Sequence, residues 1–564
     1  MTDANTDTTA DATADATAGL HAAATAGTRL RDVLGVPGRF ATIAELVPWR
    51  GALGDVAGTR ARQLATELAE NPRIDALSIT DNAGGHAMLS PEVLAADLVA
   101  AGQRAIVHVA CRDRNRNELL SLGWRLASAG IEDLLVLSGD YPTEGYLGVA
   151  RPVFDIDSVA LLHLYSRMNE GALEGRVVAR PIARDGDREI APLKPARGAG
   201  APAATDFFMG AAVSPFKTVE RDQVPQYLKL EMKVRNGAQY AITQVGWDMR
   251  KLDELRRWVT DRGVQVALLA NVFVLTRGSA RVLASGDIAG VVLPPALLEA
   301  AEREGGSPDK GKAFFLDLAA RQVAIARGLG YAGAYIGGAS TADDVARVIE
   351  MADGYTRADW REIVGSTTFA VPGTWYAYRP DRTAGLNEST PVGLTARGKG
   401  PGGGAPIDYR IDRLLHDLVF SPTSPAAPTA ARLYEAAEKR HLGRALHVLE
   451  QAVKGPLFDC RDCGDCSLPD IAYLCPESQC VKNQRNGPCG GSTAGDCEIP
   501  GKPCIWARAY ERLAPYGEAT TMLERPAVIC DNALRRTSAW GNTFLGRDHA
   551  TRPPIGDGGA AGRG

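Results

Sequence analysis

Eight of the ten cysteines in this 564-residue chain fall between positions 460 and 504: Cys460, Cys463, Cys466, Cys475, Cys480, Cys489, Cys497 and Cys504. They open as C-x2-C-x2-C, and Cys475 is followed by Pro476. Thiolates spaced this closely converge on one ion without long loops, so the pattern points to metal binding. The segment holds no histidine, and a closed site within it is all thiolate. Eight thiolates suffice for two Zn²⁺ ions, or for one [4Fe–4S] cluster and one Zn²⁺. A disulfide-stapled module is the alternative, disfavoured in a chain with cytoplasmic character. Cys111 and Cys530 stand apart and read as buried small side chains.

The elements before the cysteines have another character. From about Arg39 to Tyr355, short apolar runs alternate with longer amphipathic ones. Strands are predicted at 40–47, 76–80, 105–110, 134–138, 207–213, 240–244, 266–271 and 332–337, continuous and β-rich as in parallel strands buried on both faces. Helices are predicted between them, for instance at 59–70, 116–129 and 228–236. Eight βα units in this length suit a (β/α)₈ barrel better than a doubly wound sheet, and no GxGxxG follows the first strand. The short apolar run at 291–294 is read as part of an excursion between the last two units. In a barrel the chemistry sits at the C-terminal strand ends, which is where Glu45 and Asp140 fall. Taken alone, such a carboxylate is more often a helix cap or an ion-pair partner.

The domain order predicted is a disordered tail (1–34), a barrel (35–355), a linker region (356–428) with a flexible stretch at 398–406, a Cys-rich domain (429–530) opening with a helix at 429–453, and a tail (531–564). Hydrophobic content of 45% with 23% charged residues is that of a soluble globular chain. A formal charge of −4 gives no general attraction to nucleic acid or anionic membrane. The most apolar stretch, at 264–275, is broken by Gln265 and Asn271 and is short of the roughly 20 residues of a membrane span. With no basic region and apolar core at the start, the cytoplasm is the expected compartment.

Several motifs carry a family resemblance. IAELVP (43–48), SITDN (78–82), IVHVACRDRNR (106–116), VLSGDYP (136–142) and VRNGAQYAITQ (234–244) resemble the methylenetetrahydrofolate reductases in order and spacing. The segment from Cys463 to Ser492 resembles the C-terminal domain of a subset of these reductases and the small partner subunit of the acetogenic enzyme. The C-x2-C-x2-C run with its Cys-Pro also resembles part of a bacterial ferredoxin ligand set, without the x3 spacing to the fourth cysteine.

The resemblance implies reduction of 5,10-methylenetetrahydrofolate to 5-methyltetrahydrofolate with electrons from NADH or NADPH through FAD, or FMN. It implies Glu45 as proton donor, and Asp140 between flavin and pterin. Thr80, His108, Ser138, Gly139 and Lys233 would then lie on the flavin-binding surface, Gln244 on the pterin, and Phe273 as a stacking face for pterin or nicotinamide. Gln226 stands where many members place an aspartate, the segment 151–159 departs from the usual pattern, and GGAS (337–340) replaces a segment that often brings an arginine to the folate. The same chemistry run backwards would oxidise methyl-tetrahydrofolate in a demethylation pathway. The Cys-rich domain could equally dock an electron-transfer partner, and a homo-oligomer is compatible with either.

Overall fold

A computed structural model describes residues 29–171, 202–286, 288–355, 359–393, 404–421 and 423–550. Its centre is a closed barrel of eight parallel strands in sequence order: β1 (Ala41–Leu46), β2 (Ala76–Ile79), β3 (Ala105–Ala110), β4 (Asp133–Leu137), β5 (Phe208–Val213), β6 (Tyr240–Thr243), β7 (Ala267–Phe273) and β8 (Gly333–Gly337). Each predicted strand lies on an observed one. The helices that follow them are α1 (Val56–Ala69), α2 (Pro91–Ala100), α3 (Arg116–Ser128), α4 (Ser158–Asn169), α5 (Glu220–Arg235), α6 (Met249–Asp261), α7 (Lys312–Gly328) and α8 (Ala342–Asp353). The run at 291–294 forms no strand; Val291 and Leu293 pack with Trp247 and Phe315 beneath the β7–α7 excursion, as predicted.

Alternation along the strands separates two environments. One set of side chains turns out to the helices and forms an aliphatic layer around Leu77, Val107, Leu134 and Ile336. The other fills the lumen, where Ile43, Ala76, Ile106, Leu135, Phe208, Tyr240 and Leu269 make an apolar floor. Leu30 joins that floor from the short helix Leu30–Gly35. The expected tail therefore stops before residue 30, because Leu30 and Val33 have apolar surface to bury. The rest of that tail and the expected frayed end at 551–564 lie outside the described residues.

Beyond the barrel the structure departs further from expectation. The linker region holds an antiparallel hairpin, β9 (Tyr378–Asp381) with β10 (Leu386–Pro391), and a helix, α9 (Ile407–Val419). Most of the expected flexible stretch at 398–406 lies outside the described residues. The single helix expected at 429–453 is two, α10 (Ala427–Lys439) and α11 (Gly443–Phe458), broken where His441 takes a left-handed conformation. Two further helices follow, α12 (Ile505–Leu513) and α13 (Ala539–Phe544).

The expected C-terminal tail is folded as far as residue 550. His549 is held between Asp465 (2.5 Å) and Asp470 (2.9 Å). The Cys-rich region is no free-standing module either. Ile505, Trp506 and Tyr510 share one apolar cluster with Val224, Tyr227 and Leu228 of α5. That contact also explains why α5 begins eight residues before its predicted start. Its first turns, polar in sequence, are buried at Asp222 and Gln223 under the C-terminal region.

Candidate functional site

Above its apolar floor the lumen becomes polar. Glu45, two residues above Ile43 on β1, reaches Tyr335 of β8, whose hydroxyl donates to Oε1 at 2.9 Å. Burial raises the Glu45 pKa above the usual carboxylate range, against the hydrogen bonds from Tyr335 and the Gly338 backbone. The Tyr335 hydroxyl is in hydrogen-bond contact with Ser78, and Ser78 Oγ lies 2.9 Å from His108 Nε2. Burial lowers the His108 pKa to about 3, so the imidazole is neutral. Four strands thus contribute one connected chain, Glu45–Tyr335–Ser78–His108, with a buried carboxyl of raised pKa at its end. Beside it, Thr80 Oγ1 and Asn271 Oδ1 are buried without a protein partner among the described residues. Buried polar atoms left this way mark where a ligand's polar groups fit.

The glycines of the GGAS segment make room for this arrangement. A Cβ on Gly337 would stand 2.5 Å from Glu45 Oε2, and one on Gly338 would stand 2.7 Å from the Phe273 ring. Gly338 also has φ +74°, a left-handed conformation costly for other residues. Phe273 ends β7 half-buried, and Gln244 sits half-buried at the top of β6 with its Oε1 accepting from the Val245 amide. Asp140 is exposed beyond β4. A cleft of about 1050 Å³ opens on this rim between Arg50, Met88, Leu89, Ser90, Glu144 and Tyr146.

The surface expected to face a flavin is divided. Thr80 and His108 look into the lumen. Ser138 instead donates to Gln484 Oε1 (2.9 Å), and the Gly139 carbonyl accepts from Lys482 Nζ (2.9 Å). Lys233 is buried, its pKa lowered to about 7 by that burial, and its Nζ is bonded to the Ala212 carbonyl at 2.6 Å. Ser138 and Gly139, just beyond β4, are therefore taken up by Gln484 and Lys482 of the chain's own C-terminal region rather than left open to a flavin placed as the resemblance implies.

The segment from Lys482 to Ser492 is fixed by buried charges from the barrel. Asp157 caps α4 and also accepts from the backbone amides of Arg485 and Asn486 and from Asn486 Nδ2 (2.8–3.1 Å). Lys229 donates to Gln484 Oε1, Gly487 O and Pro488 O (2.9–3.0 Å), and Lys217 to the carbonyls of Gly490 and Ser492. The stretch 151–159, which departs from the family pattern, is thus the receptor of the C-terminal region: Asp155 of the same stretch binds Arg116 and Asn532.

The eight cysteines divide in chain order. Cys460, Cys463, Cys466 and Cys475 line one small cavity of about 20 Å³ with Lys454 and Arg485. Cys480, Cys489, Cys497 and Cys504 lie within one another's electrostatic field. Burial, joined by neighbouring thiols, pushes Cys480 and Cys504 up to about 12 and Cys466 to about 11. Protons on buried thiols are displaced when a metal binds.

The surroundings suit thiolates. Backbone amides donate to sulfur at Cys460, Cys480 and Cys489 (3.4–3.5 Å), and Lys454 Nζ lies 3.4 Å from Cys466 Sγ. All ten cysteines are free thiols. Among the described residues no three metal-binding side chains converge closely enough to hold a single ion. Cys530 is not isolated as its position suggests: it hydrogen-bonds Cys463, which that contact and Arg485 hold below the usual thiol range.

With this geometry in place, the comparisons bear on one region. Residues 440–532 match the family described as methylene-tetrahydrofolate reductase C terminal. The match spans all eight clustered cysteines, the segment inserted against the barrel, and Cys530. The methylene-tetrahydrofolate reductase C-terminal match thus ends where the chain meets Asp155. No curated protein matches the chain.

Solved structures match the chain at low similarity. An uncharacterized protein from Clostridium thermocellum that binds two copies of 5-methyl-5,6,7,8-tetrahydrofolic acid is 11% identical, covering 58% of this chain and 97% of its own at a TM-score of 0.40. A 2,3-dimethylmalate lyase is 12% identical over 59% of this chain and 85% of its own (TM-score 0.31). Tryptophan synthase from M. tuberculosis is 13% identical over 60% and 96% (TM-score 0.27). The closed strand order, not these scores, establishes the barrel. No described helix is long and apolar enough to cross a membrane.

Proposed function

We propose that this chain interconverts 5,10-methylenetetrahydrofolate and 5-methyltetrahydrofolate, with NADH or NADPH as the electron donor. The observation that carries it is a buried carboxyl, Glu45, whose pKa burial raises, held at the floor of a polar barrel mouth that a reductase-type C-terminal region borders. In the reducing direction Glu45 gives its proton to N10. The bond from N10 to the bridging carbon breaks with its electron pair staying on nitrogen, and a 5-iminium cation remains. A hydride added to that carbon completes the methyl group. Neutral His108, through Ser78 and Tyr335, fixes the hydroxyl that orients Glu45. Asp140 places negative charge on the rim where the cation develops. Phe273 offers a stacking face and Gln244 an amide for the pterin. In the thiolate region, the two groups of four cysteines would supply the thiolates for two Zn²⁺ ions, or for one [4Fe–4S] cluster and one Zn²⁺, once metal draws them together.

The test is turnover of both folates by the full chain and by Glu45→Gln, with folate binding measured separately. The variant should bind folate and lose roughly 10²–10⁴-fold in turnover, the range for a positioned acid. Unchanged turnover by the variant removes Glu45 as the proton donor, and a full chain that turns over neither folate overturns this function.

A further inference from the structure

In the run 138–141, past the end of β4, Asp140 alone is exposed. The backbone on either side of it is gripped from the C-terminal region. Lys482 Nζ donates to the Gly139 carbonyl at 2.9 Å, and the Tyr141 amide donates to Glu498 Oε1 at 3.2 Å. The two gripping side chains pair with each other, Nζ to Oε1 at 2.7 Å, and are only 3% and 5% exposed. From the barrel, Arg112 Nη1 donates to the Asp140 carbonyl at 3.2 Å. Docking does not require the Lys482–Glu498 pair, because Asp157, Lys217 and Lys229 already hold groups between Gln484 and Ser492. A buried ion pair is also a poor source of stability, since apolar groups of equal volume serve as well or better. Its specific effect is geometric: a cation and an anion hold an acceptor and a donor two residues apart, with Asp140 between them. Both grips ride on loops of the second cysteine group, Lys482 two residues after Cys480 and Glu498 directly after Cys497.

We propose that Lys482 and Glu498 are positioning residues for the folate reaction, setting the place of the Asp140 carboxylate at the barrel mouth. This rests on the function given above, in which Asp140 faces the developing 5-iminium cation. An exposed carboxylate on a free loop samples many distances from that cation, and water screens it at most of them. The same charge held in place beforehand needs no reorganisation when the cation forms. Glu498 neutralises Lys482 at the clamp, so the charge carried to the mouth is that of Asp140. The Cys-rich region thereby enters the chemistry through geometry, with no group of its own on the substrate.

The test is a cycle of variants in the full-length chain, read as kcat/KM for folate, with circular dichroism and metal content as controls. Lys482→Met with Glu498→Leu removes both charges at similar volume and unchanged net charge, so the fold should stand. It should lose about tenfold, as Asp140→Asn does. Adding Asp140→Asn to it should cost no more than about twofold further, because both changes remove one effect. Independent contributions would multiply to about 100-fold and overturn the proposal. Lys482→Gln with Glu498→Gln keeps hydrogen-bonding groups at both sites and guards against misfolding of the first pair. It should lose about threefold and be equally silent in the Asp140→Asn background. A folded pair of either kind that keeps the wild-type kcat/KM also overturns the proposal. A wild type that turns over neither folate removes the function itself and the clamp with it, whereas additive losses in an active chain remove the clamp alone.

Discussion

The barrel and the Cys-rich region bury opposite kinds of matter. The barrel's lumen floor lies within residues 30–335 and most of its outer layer within residues 44–352, both largely apolar, with one side of the outer layer continued by Ile505, Trp506 and Tyr510. The region after 440 buries Glu450, Lys454, Asp465, Lys482, Gln484, Arg485 and Asn486, each at most 4% exposed. Apolar burial is non-directional and survives small shifts, whereas buried polar groups hold only while every partner stays in place. One part of the molecule is therefore held by area, and the other by specific pairs and thiols.

Breaking the thiols should have the largest effect. Cys475→Ser or Cys489→Ser should release metal and make the region after 404 protease-sensitive, while the barrel keeps its helical and strand signal. Elemental analysis with limited proteolysis decides it, and a metal-free variant that resists protease would show that side-chain pairs suffice. Next comes Lys229→Met, which leaves three buried acceptors, Gln484 Oε1, Gly487 O and Pro488 O, without their donor. Undocking of 482–492 should become easier by about 3 kcal/mol, in line with the cost of orphaned buried groups, and faster amide exchange confined to that segment would register it. Uniform exchange across the whole chain would instead make the two regions one cooperative unit.

The clasp on the C-terminal end gives a pH signature. Burial disfavours charge on His549, but hydrogen bonds to Asp465 and Asp470 outweigh it and raise its pKa from 6.5 to about 10. A raised folded pKa contributes stability fully present below about 6.5 and lost as pH rises to about 10. The stability difference between wild type and His549→Gln should thus be largest at pH 6 and fade towards pH 10. A pH-independent difference would show a purely steric role. The smallest effect is expected at Asp140, whose exposed carboxylate acts through water: Asp140→Asn should cost about tenfold or less in kcat/KM for folate. A loss as large as that of Glu45→Gln would place Asp140 deep in the site.

What the sequence disclosed follows the same division. Buried parallel strands write themselves as apolar runs, so the eight strands and the position of Glu45 were legible. The paired cysteine spacing disclosed thiolate chemistry but not its division into quartets, which depends on loop paths. The family pattern placed Ser138, Gly139 and Lys233 on a cofactor surface, and the covering segment lay some 340 residues away from Ser138, beyond any local pattern. The departures at 151–159 and 337–340 were visible only as mismatches. Asp157 as a receptor for Asn486, and Gly337 as space for Glu45, are relations between distant residues. Tyr335 carried no motif, and its role is set by pairing across β1 and β8.

The seating of 482–492 on α4 and α5 also has a consequence for biosynthesis. Translation delivers β8 more than 140 residues before this segment, an interval of roughly 7–30 s at ordinary elongation rates. Throughout it Asp157, Lys217 and Lys229 stand without the C-terminal groups they bind in the folded chain. A late part of the polypeptide thus covers an early one, and ribosome-bound intermediates should expose a surface that the finished protein buries.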